Sequence, residues 1–310
     1  MWKMQLVAKL PDIQIQFDEI MAPYVSFKVG GPADCLVSVT NEEEVRQVLF
    51  ATSELKIPLM ILGKGSNLLV VDEGIEGAVL MFKGSLLEGQ KVSEDRIYCG
   101  AGMDLGDVSR LAESFELTGL EFAVGIPGSL GGAVFMNAGA YDGEIAGVIE
   151  SVRWMDSHGT IHNLSKEECQ FSYRSSFFQK NGGIILGVTM SLKKGNNEQI
   201  HTRMTELTAQ RESKQPLEWA SAGSTFKRPP GYFAGTLIQD AGLKGFTYGD
   251  AQVSEKHAGF VINCGQATAN DVLMLIKTVR EKVYEYADVW LCPEVRIVGR
   301  TAEKWQYFYK

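Results

Sequence analysis

Residues 122–143 read FAVGIPGSLGGAVFMNAGAYDG, a stretch that fits neither an ordinary surface loop nor a buried helix. It holds six glycines and one proline, and it carries no charge before Asp142. Surface loops are richer in polar residues, and each glycine costs a helix interior about 1 kcal/mol relative to alanine. Because glycine lets a backbone approach another group closely, the stretch predicts either an anion-binding turn or a tight packing turn.

A second glycine-rich turn, GKGSN at residues 63–67, bears on this choice. Both turns follow apolar, strand-like runs, and Gly128-Ser129 precedes LGGAVFMN, a pattern typical of a turn that enters a short helix. If the two turns face each other, their backbone amides can hold a pyrophosphate, with Ser66, Asn67 and Ser129 as further donors. Two unrelated turns remain the alternative.

Length and composition limit the class of protein. A chain of 310 residues predicts about two domains, or three small ones. A net charge of −8 disfavours nonspecific nucleic-acid binding, which needs a basic surface. We find neither a membrane-span nor a signal-peptide pattern, and the five cysteines are dispersed without a CxxC pair. We therefore expect a cytoplasmic protein with reduced thiols.

The hydrophobic pattern along the chain predicts mixed helices and strands. Residues 1–22 suggest an amphipathic helix, and the first 75 residues contain a β-α-β unit whose helix is capped by Asn41. A hairpin turn is predicted at His158-Gly159, and SKQP at 213–216 breaks a helix at an expected domain boundary. Further helices are predicted at 104–117, 198–214 and 268–288.

Familiar nucleotide and nucleophile motifs are missing from the sequence. No G-x-x-x-x-G-K-[ST], G-x-G-x-x-G or G-x-S-x-G occurs, which disfavours a P-loop, a Rossmann fold and a nucleophile elbow. His158 and His162 are four residues apart, but Gly159 places them in a hairpin instead of on one helix face. We therefore expect no metal site.

Three short stretches are rich in reactive groups. FSYRSSFF carries Arg174 among aromatic residues, where a guanidinium is either stacked structurally or ready to bind a carboxylate. AGSTFKRPP carries Ser224 after a glycine, and CPEVR carries Glu294 at the start of a predicted strand. Taken singly, Ser224 is more simply explained as a turn residue and Glu294 as the end of a surface strand.

Taken together and in order, these motifs resemble the UDP-N-acetylenolpyruvoylglucosamine reductases, flavoenzymes of peptidoglycan precursor synthesis. The similarity extends from near residue 26 to near residue 299. The matching segments are SFKVGGPAD (26–34), LGKGSNLLV (62–70), GIPGSLGGAVFMNAGAY (125–141), FSYRSSFF (171–178), RESKQP (211–216), GSTFKRPPG (223–231), VSEKHAGFVIN (253–263) and PEVRIVG (293–299). The chain resembles the class of this family that lacks an extra tyrosine-bearing loop.

The resemblance implies an α+β fold in which two FAD-binding subdomains of the vanillyl-alcohol-oxidase type precede a C-terminal α+β substrate domain. We expect these parts at residues 1–75, 76–212 and 213–310. It also implies non-covalent FAD, since GKGSN contains no histidine that could be attached to it. The implied FAD-binding residues are Gly63, Lys64, Gly65, Ser66, Asn67, Leu68, Pro127, Gly128, Ser129, Gly131, Gly132, Asn137 and Gly139.

The family's chemistry implies that NADPH reduces FAD, after which reduced flavin gives a hydride to C3 of the enolpyruvyl group of UDP-N-acetylglucosamine enolpyruvate. Protonation at C2 then yields UDP-N-acetylmuramate. In the matching positions, Arg174 would bind the carboxylate, Glu294 would stabilise charge or relay a proton, and Ser224 would protonate C2. The implied substrate-binding residues are Tyr173, Arg211, Lys227, Arg228, His257 and Arg296. A monomer is expected.

Two rival functions remain at this point. One is a flavin oxidase on the same fold, and the other is a nucleotide-sugar-binding protein without flavin. The lack of a histidine in GKGSN for covalent attachment of FAD disfavours the flavin oxidase. The joint presence of Arg174, Ser224 and Glu294 opposes the second.

Overall fold

The computed structural model describes residues 2–141 and 143–310. The α-helices of these residues are α1 (Trp2–Lys9), α2 (Glu42–Glu54), α3 (Leu105–Ser114), α4 (Leu130–Met136), α5 (Phe177–Asn181), α6 (Asn197–Lys214), α7 (Ala234–Asp240) and α8 (Ala269–Ala287). The first strands are β1 (Gln14–Ile20), β2 (Pro32–Val39), β3 (Leu59–Leu62), β4 (Leu68–Val70), β5 (Ile75–Phe82), β6 (Gly89–Ser93), β7 (Arg96–Gly100), β8 (Leu117–Thr118) and β9 (Gly139–Ala140). The later strands are β10 (Gly143–Glu144), β11 (Ile149–Met155), β12 (Ile161–Ser165), β13 (Ile184–Ser191), β14 (Lys193–Lys194), β15 (Thr247–Tyr248), β16 (Ala251–Val253), β17 (Val261–Asn263) and β18 (Arg296–Val298).

The chain forms two compact units. Unit 1 comprises the residues up to Gln16 together with residues 36–64 and 78–211. Unit 2 comprises residues 17–35, 65–77 and 212–310. Of the five unit boundaries, three fall within β1, β2 and β5, one follows Lys64 and one falls within α6. The strands β1, β2, β5 and β3 form a four-stranded sheet in that order. The three-part division expected at residues 75 and 212 stays a prediction.

Unit 1 is built around an antiparallel sheet of order β12-β11-β13-β7-β6. Strand β13 is almost wholly buried, because its run IILGVTMS is apolar on both faces and α4 packs against it. The predicted hairpin at His158-Gly159 joins β11 to β12, with Gly159 at a positive φ of 77°. In unit 1, α4, the helix within the long glycine stretch, thus packs on this sheet.

Unit 2 places the antiparallel sheet β15-β16-β17 against α8 and pairs β18 in parallel with β4. Its core includes the fully buried side chains of Phe27, Leu69, Val272 and Phe308. Helix α8 begins with a capping box, in which the Thr268 hydroxyl accepts from the Asp271 amide and the Asp271 carboxylate accepts from the Thr268 amide. The β4–β18 pair brings together two motifs that are far apart in the sequence.

Most predicted elements are present, with one clear error. Asn41 caps α2, and the predicted helices near 104–117, 198–214 and 268–288 correspond to α3, α6 and α8. The helix predicted over residues 1–22 is wrong beyond α1, since residues 14–20 form the strand β1. Pro11 explains the difference, because proline cannot continue a helix. Within residues 2–141 and 143–310, no helix combines the length and apolar character needed to cross a membrane.

Candidate active site

The long glycine stretch forms a turn that enters α4, as predicted. Ser129 is the N-cap residue, and its hydroxyl accepts a hydrogen bond of 3.3 Å from the Gly132 amide. The next two amides are also occupied, because Leu130 donates to the Met103 carbonyl at 2.9 Å and Gly131 to the Ala101 carbonyl at 2.7 Å. The first amides of α4 therefore already donate hydrogen bonds within the protein. An anion at this helix terminus would have to replace the acceptors of those bonds.

In unit 1, Gly63 of the short glycine turn lies against Ser129 of the long glycine stretch. A Cβ placed on Gly63 would lie 2.3 Å from the Ser129 Oγ, so only glycine allows this approach. The Lys64 Nζ lies 2.6 Å from an Asp104 carboxylate oxygen, and that carboxylate also caps α3. The expected juxtaposition of the turns is thus present, and Lys64 is bound to Asp104 in this structure.

The amides available to an anion belong to the two glycine turns. Within unit 1, the backbone N–H groups of Gly63, Lys64, Gly128 and Ser129 donate no hydrogen bond to any residue that the structure describes. Successive unpaired amides of this kind form an anion-binding concavity. The donor set therefore fits a pyrophosphate, and the fit depends on these amides more than on the first amides of α4.

Asn137 ends α4 in the left-handed conformation, with φ 45°. Its buried side chain donates to the Glu144 carboxylate and the Ser172 carbonyl, and accepts from the Ala146 amide. These bonds use both donors of the amide group. Asn137 therefore anchors the loop that contains Ser172, and its predicted contact with a cofactor stays a prediction.

Arg174 lies in a tight turn in which Ser172 and Ser175 exchange two backbone hydrogen bonds of 3.0 and 3.1 Å. Its φ is 53°, a left-handed conformation that costs a non-glycine residue about 1–2 kcal/mol. The guanidinium donates to the carbonyls of Asn137 at 3.4 Å and Gly139 at 3.1 Å, and it lies 5.2 Å from the Tyr173 ring centroid. Arg174 is thus anchored on the residues that follow α4.

Arg211 is a second cation in unit 1. Its Cδ lies next to Gly125, where a Cβ would come within 2.9 Å, so it borders the long glycine stretch. Burial lowers the pKa of the Arg211 guanidinium, and the nearby Tyr141 opposes that shift. No described residue forms a hydrogen bond or ion pair with this guanidinium. A partly buried cation without a protein partner fits an anionic ligand.

Unit 2 brings Ser224 and Glu294 together through their backbones. The Thr225 carbonyl, next to Ser224, accepts from the Glu294 amide at 2.8 Å. The Lys227 amide donates to the Cys292 carbonyl at 2.8 Å, which continues the same pairing. Ser224 is exposed and Glu294 is half-buried. The predicted acid and its predicted partner are therefore held on adjacent backbone segments.

The short glycine turn also reaches this part of unit 2. The Asn67 carbonyl accepts from the Arg296 amide at 3.0 Å, and its side chain donates to the Glu294 carbonyl at 3.3 Å. Leu68 pairs with Arg296 where β4 meets β18. The Tyr309 hydroxyl donates to the Val295 carbonyl at 2.7 Å, on the same segment as Glu294. Three motifs, GKGSN, GSTFKRPP and PEVR, thus form one assembly.

The other predicted ligands of unit 2 differ in exposure. Arg228 is exposed, with its guanidinium carbon 4.0 Å from the Phe233 ring centroid. His257 accepts from the Gly259 amide at 3.0 Å, and burial, with a smaller effect of Lys244, lowers the pKa of its imidazole. Burial also lowers the pKa of the Arg296 guanidinium, opposed by Tyr309.

Three residues that support the site were not predicted from the sequence. Gln179 donates to the Arg174 carbonyl at 3.0 Å, Asp104 binds Lys64, and Thr225 connects the segments of Ser224 and Glu294. Gln179 directly follows FSYRSSFF, and this position beside the motif is the one feature of the sequence that could have indicated its role. The roles of Asp104 and Thr225 depend on long-range pairing, for which no local pattern exists.

Comparison with known proteins identifies relatives over nearly the whole chain. A family model described as FAD binding domain matches residues 33–165, and one described as UDP-N-acetylenolpyruvoylglucosamine reductase, C-terminal domain, matches residues 215–298. Together these matches confirm the expected fold class, an α+β FAD-binding fold followed by a C-terminal α+β domain.

Curated relatives with the name UDP-N-acetylenolpyruvoylglucosamine reductase include one from Clostridium perfringens, 53% identical over 92% of this chain and 93% of its own length. Another, from Clostridium novyi, is 51% identical over 94% of both chains. A crystal structure of UDP-N-acetylenolpyruvylglucosamine reductase from Thermus caldophilus matches with a TM-score of 0.79 and 37% identity, covering 92% of this chain and 98% of that one.

Proposed function

The chain belongs to the family of UDP-N-acetylenolpyruvoylglucosamine reductases, and on that premise we propose that it reduces the enolpyruvyl group of UDP-N-acetylglucosamine enolpyruvate to give UDP-N-acetylmuramate. FAD is the cofactor. Its non-covalent binding and the use of NADPH as the hydride donor are proposed. The observation that supports the proposal is the pairing of the Ser224 and Glu294 segments, in which the Thr225 carbonyl accepts from the Glu294 amide at 2.8 Å. A monomeric, cytoplasmic enzyme stays a prediction.

The FAD pyrophosphate is assigned to the unpaired amides of Gly63, Lys64, Gly128 and Ser129, which all lie in unit 1. Glycine at position 63 lets these turns approach closely, and Lys64 adds a positive charge that Asp104 already partly neutralises. When bound, FAD supplies the carrier that takes a hydride from NADPH and passes it to the enolpyruvyl group. The remaining steps depend on residues of the protein.

Arg174 is proposed to bind and polarise the carboxylate of the enolpyruvyl group. Hydride addition at C3 leaves negative charge at C2, which spreads onto the carboxylate, so a fixed cation there stabilises the transition state. The carbonyls of Asn137 and Gly139 hold the guanidinium before substrate arrives. An arginine that is already oriented loses little entropy when it forms a two-pronged contact.

Ser224 is proposed to donate the proton that C2 receives, with Glu294 as the group that restores or stabilises it. A serine hydroxyl is a weak acid, so it needs a proton source nearby. The Thr225–Glu294 hydrogen bond fixes the spacing of the two segments without using either side chain. The exposed position of Ser224 leaves its hydroxyl accessible to substrate.

The diphosphate of the substrate is assigned first to Arg211 and Arg228, whose guanidinium forks suit a dianion. Arg211 is the stronger candidate, since no described residue neutralises it and a bound anion would compensate for its burial. Tyr173, Lys227, His257 and Arg296 are proposed as further contacts to the uridine, the diphosphate or the carboxylate.

An anaerobic titration of the purified holoprotein tests this function. One equivalent of NADPH is expected to bleach the flavin absorbance, and UDP-N-acetylglucosamine enolpyruvate is then expected to restore it. NADH and UDP-N-acetylglucosamine serve as the matched donor and acceptor controls. Bleaching without recovery would indicate a flavoenzyme that does not use this substrate. Rapid reoxidation by air, at a rate that the sugar nucleotide does not change, would favour an oxidase. A protein that binds no flavin would reject the assignment of both glycine turns.

A further inference from the structure

The Arg174 backbone is held by a side chain outside the proposed chemistry, the amide of Gln179. Its Nε2 donates to the Arg174 carbonyl at 3.0 Å and to the Phe135 carbonyl at 2.8 Å. Phe135 lies in the last turn of α4. One primary amide therefore ties the turn that carries Arg174 to the end of the helix that begins at the long glycine stretch.

Arg174 needs such a tie because of its backbone conformation. A φ of 53° is unfavourable for a side chain with a Cβ, and a turn position of this kind usually holds glycine or asparagine. Strained residues of this sort persist where surrounding contacts fix them. If the Arg174 carbonyl lost its donor, the turn could relax and move the guanidinium away from the carbonyls of Asn137 and Gly139.

Gln179 is itself presented from a well-anchored element. It lies in α5, and the preceding Ser176, with only 1% of its surface exposed, donates to the same Phe135 carbonyl at 2.7 Å. The Trp154 ring on β11 packs edge-on against Phe177 with centroids 5.5 Å apart. The amide is therefore held in place from the sheet of unit 1, so it can impose a position on Arg174.

We propose that Gln179 is a positioning residue that orients Arg174 for binding and polarising the substrate carboxylate. Gln179 acts through the main chain of Arg174. This inference rests on the proposed function and deepens it, because it concerns only the half-reaction in which Arg174 takes part. Transfer of a hydride from NADPH to the flavin does not use the carboxylate-binding cation, so that half-reaction is independent of Gln179.

Gln179→Ala is the first test, with the two half-reactions measured separately under anaerobic conditions. Reoxidation of the flavin by the enolpyruvyl sugar nucleotide is expected to slow by about 10- to 100-fold, the order of loss for a catalytic group displaced by about 1 Å. Reduction by NADPH is expected to stay within about twofold of wild type. Asn181→Ala is the matched control, because Asn181 in the same helix donates its amide to the Phe177 carbonyl at 3.0 Å without touching Arg174.

Gln179→Glu supplies a second readout, the dependence on pH. A glutamate carboxylate only accepts hydrogen bonds, so at neutral pH it repels the carbonyls of Arg174 and Phe135. Its protonated form can donate again. The ratio of the reoxidation rate to the wild-type rate is therefore expected to rise as the pH falls toward about 4.3, the ordinary pKa of glutamate. A loss of general stability would not produce this profile in one half-reaction alone.

The possible outcomes distinguish a failure of the proposed function from a failure of the positioning role of Gln179. If wild-type protein is not reoxidised by the enolpyruvyl sugar, the proposed function fails before Gln179 is tested. If wild type is reoxidised and Gln179→Ala behaves like Asn181→Ala, the positioning role is wrong. Equal slowing of both half-reactions would also overturn it, because that result indicates a general folding defect.

Discussion

The surroundings of Arg174 in unit 1 and those of Ser224 and Glu294 in unit 2 are built in different ways. Arg174 is fixed by side-chain donors that meet backbone carbonyls, namely its own guanidinium and the Gln179 amide. Ser224 and Glu294 are aligned by main-chain hydrogen bonds, of which the Thr225–Glu294 bond is the central one. Side-chain identity therefore controls the first region, and backbone pairing controls the second.

This difference predicts how each region tolerates substitution. Where side chains make the geometry, a conservative replacement removes hydrogen bonds and leaves partly buried carbonyls without their donors, each at a cost of up to about 1–3 kcal/mol. Where the backbone makes the geometry, a conservative replacement at a neighbouring position leaves the spacing intact.

Arg174→Lys is expected to have the largest effect, although it preserves the charge. An ammonium cannot reproduce the planar fork that reaches both Asn137 and Gly139, so the cation loses its orientation. We expect reoxidation by the enolpyruvyl sugar to fall by about 10²- to 10³-fold in stopped-flow measurements. Thr225→Ser is the matched conservative change in unit 2, where the main-chain bond to Glu294 remains. A similar fall in the reoxidation rate of both variants would contradict the difference between the two regions.

Gly63→Ala addresses the glycine turns of unit 1. The added Cβ would lie 2.3 Å from the Ser129 Oγ, which is buried and caps α4. Overpacking of this kind costs about 1–3 kcal/mol, so FAD affinity is expected to fall by about tenfold or more. Flavin content and a binding titration measure it. Gly147→Ala is the control, since a Cβ there meets nothing within 4 Å; equal losses in the two variants would contradict the close approach.

His257→Gln tests a small effect in unit 2, the dependence of stability on pH. Burial lowers the pKa of His257, so the unfolded chain binds its proton more readily than the folded protein does. The stabilisation is complete above the unfolded pKa of about 6.5 and is lost as the pH falls below it. Wild type is therefore expected to lose more stability than His257→Gln between about pH 6.5 and pH 5. The free energy of unfolding, measured by denaturant titration at each pH, checks this prediction. An equal loss in wild type and His257→Gln would contradict it. His158→Gln, at an exposed turn, controls for the substitution.

Local patterns explain what the sequence revealed about the fold. The caps Asn41, Ser129 and Thr268 act within three residues of their partners, so they are visible in the sequence. The approach of Gly63 to Ser129 was expected only as one alternative, because no local rule fixes which turns meet. The strand β1 was missed since an amphipathic pattern was extended past Pro11.

In the candidate site too, local sequence patterns do not predict long-range contacts. Arg174 and Gln179 are close in the sequence, yet the sequence says nothing about the carbonyls that they share with α4. The pairing of the Ser224 and Glu294 segments joins residues that are far apart in the chain, and only the resemblance to a family linked them beforehand. Periodicity identifies elements, whereas long-range backbone pairing depends on the packing of the whole unit.

The most direct test of the account compares the two half-reactions of Ser224→Ala with those of wild type. Because the Ser224 hydroxyl is assigned only to the protonation of C2, reduction of the flavin by NADPH is expected to be nearly unchanged. Reoxidation by the enolpyruvyl sugar nucleotide is expected to slow by about 100-fold or more, the usual contribution of a positioned proton donor. Equal slowing of both half-reactions, or no slowing of reoxidation, would contradict the role assigned to Ser224.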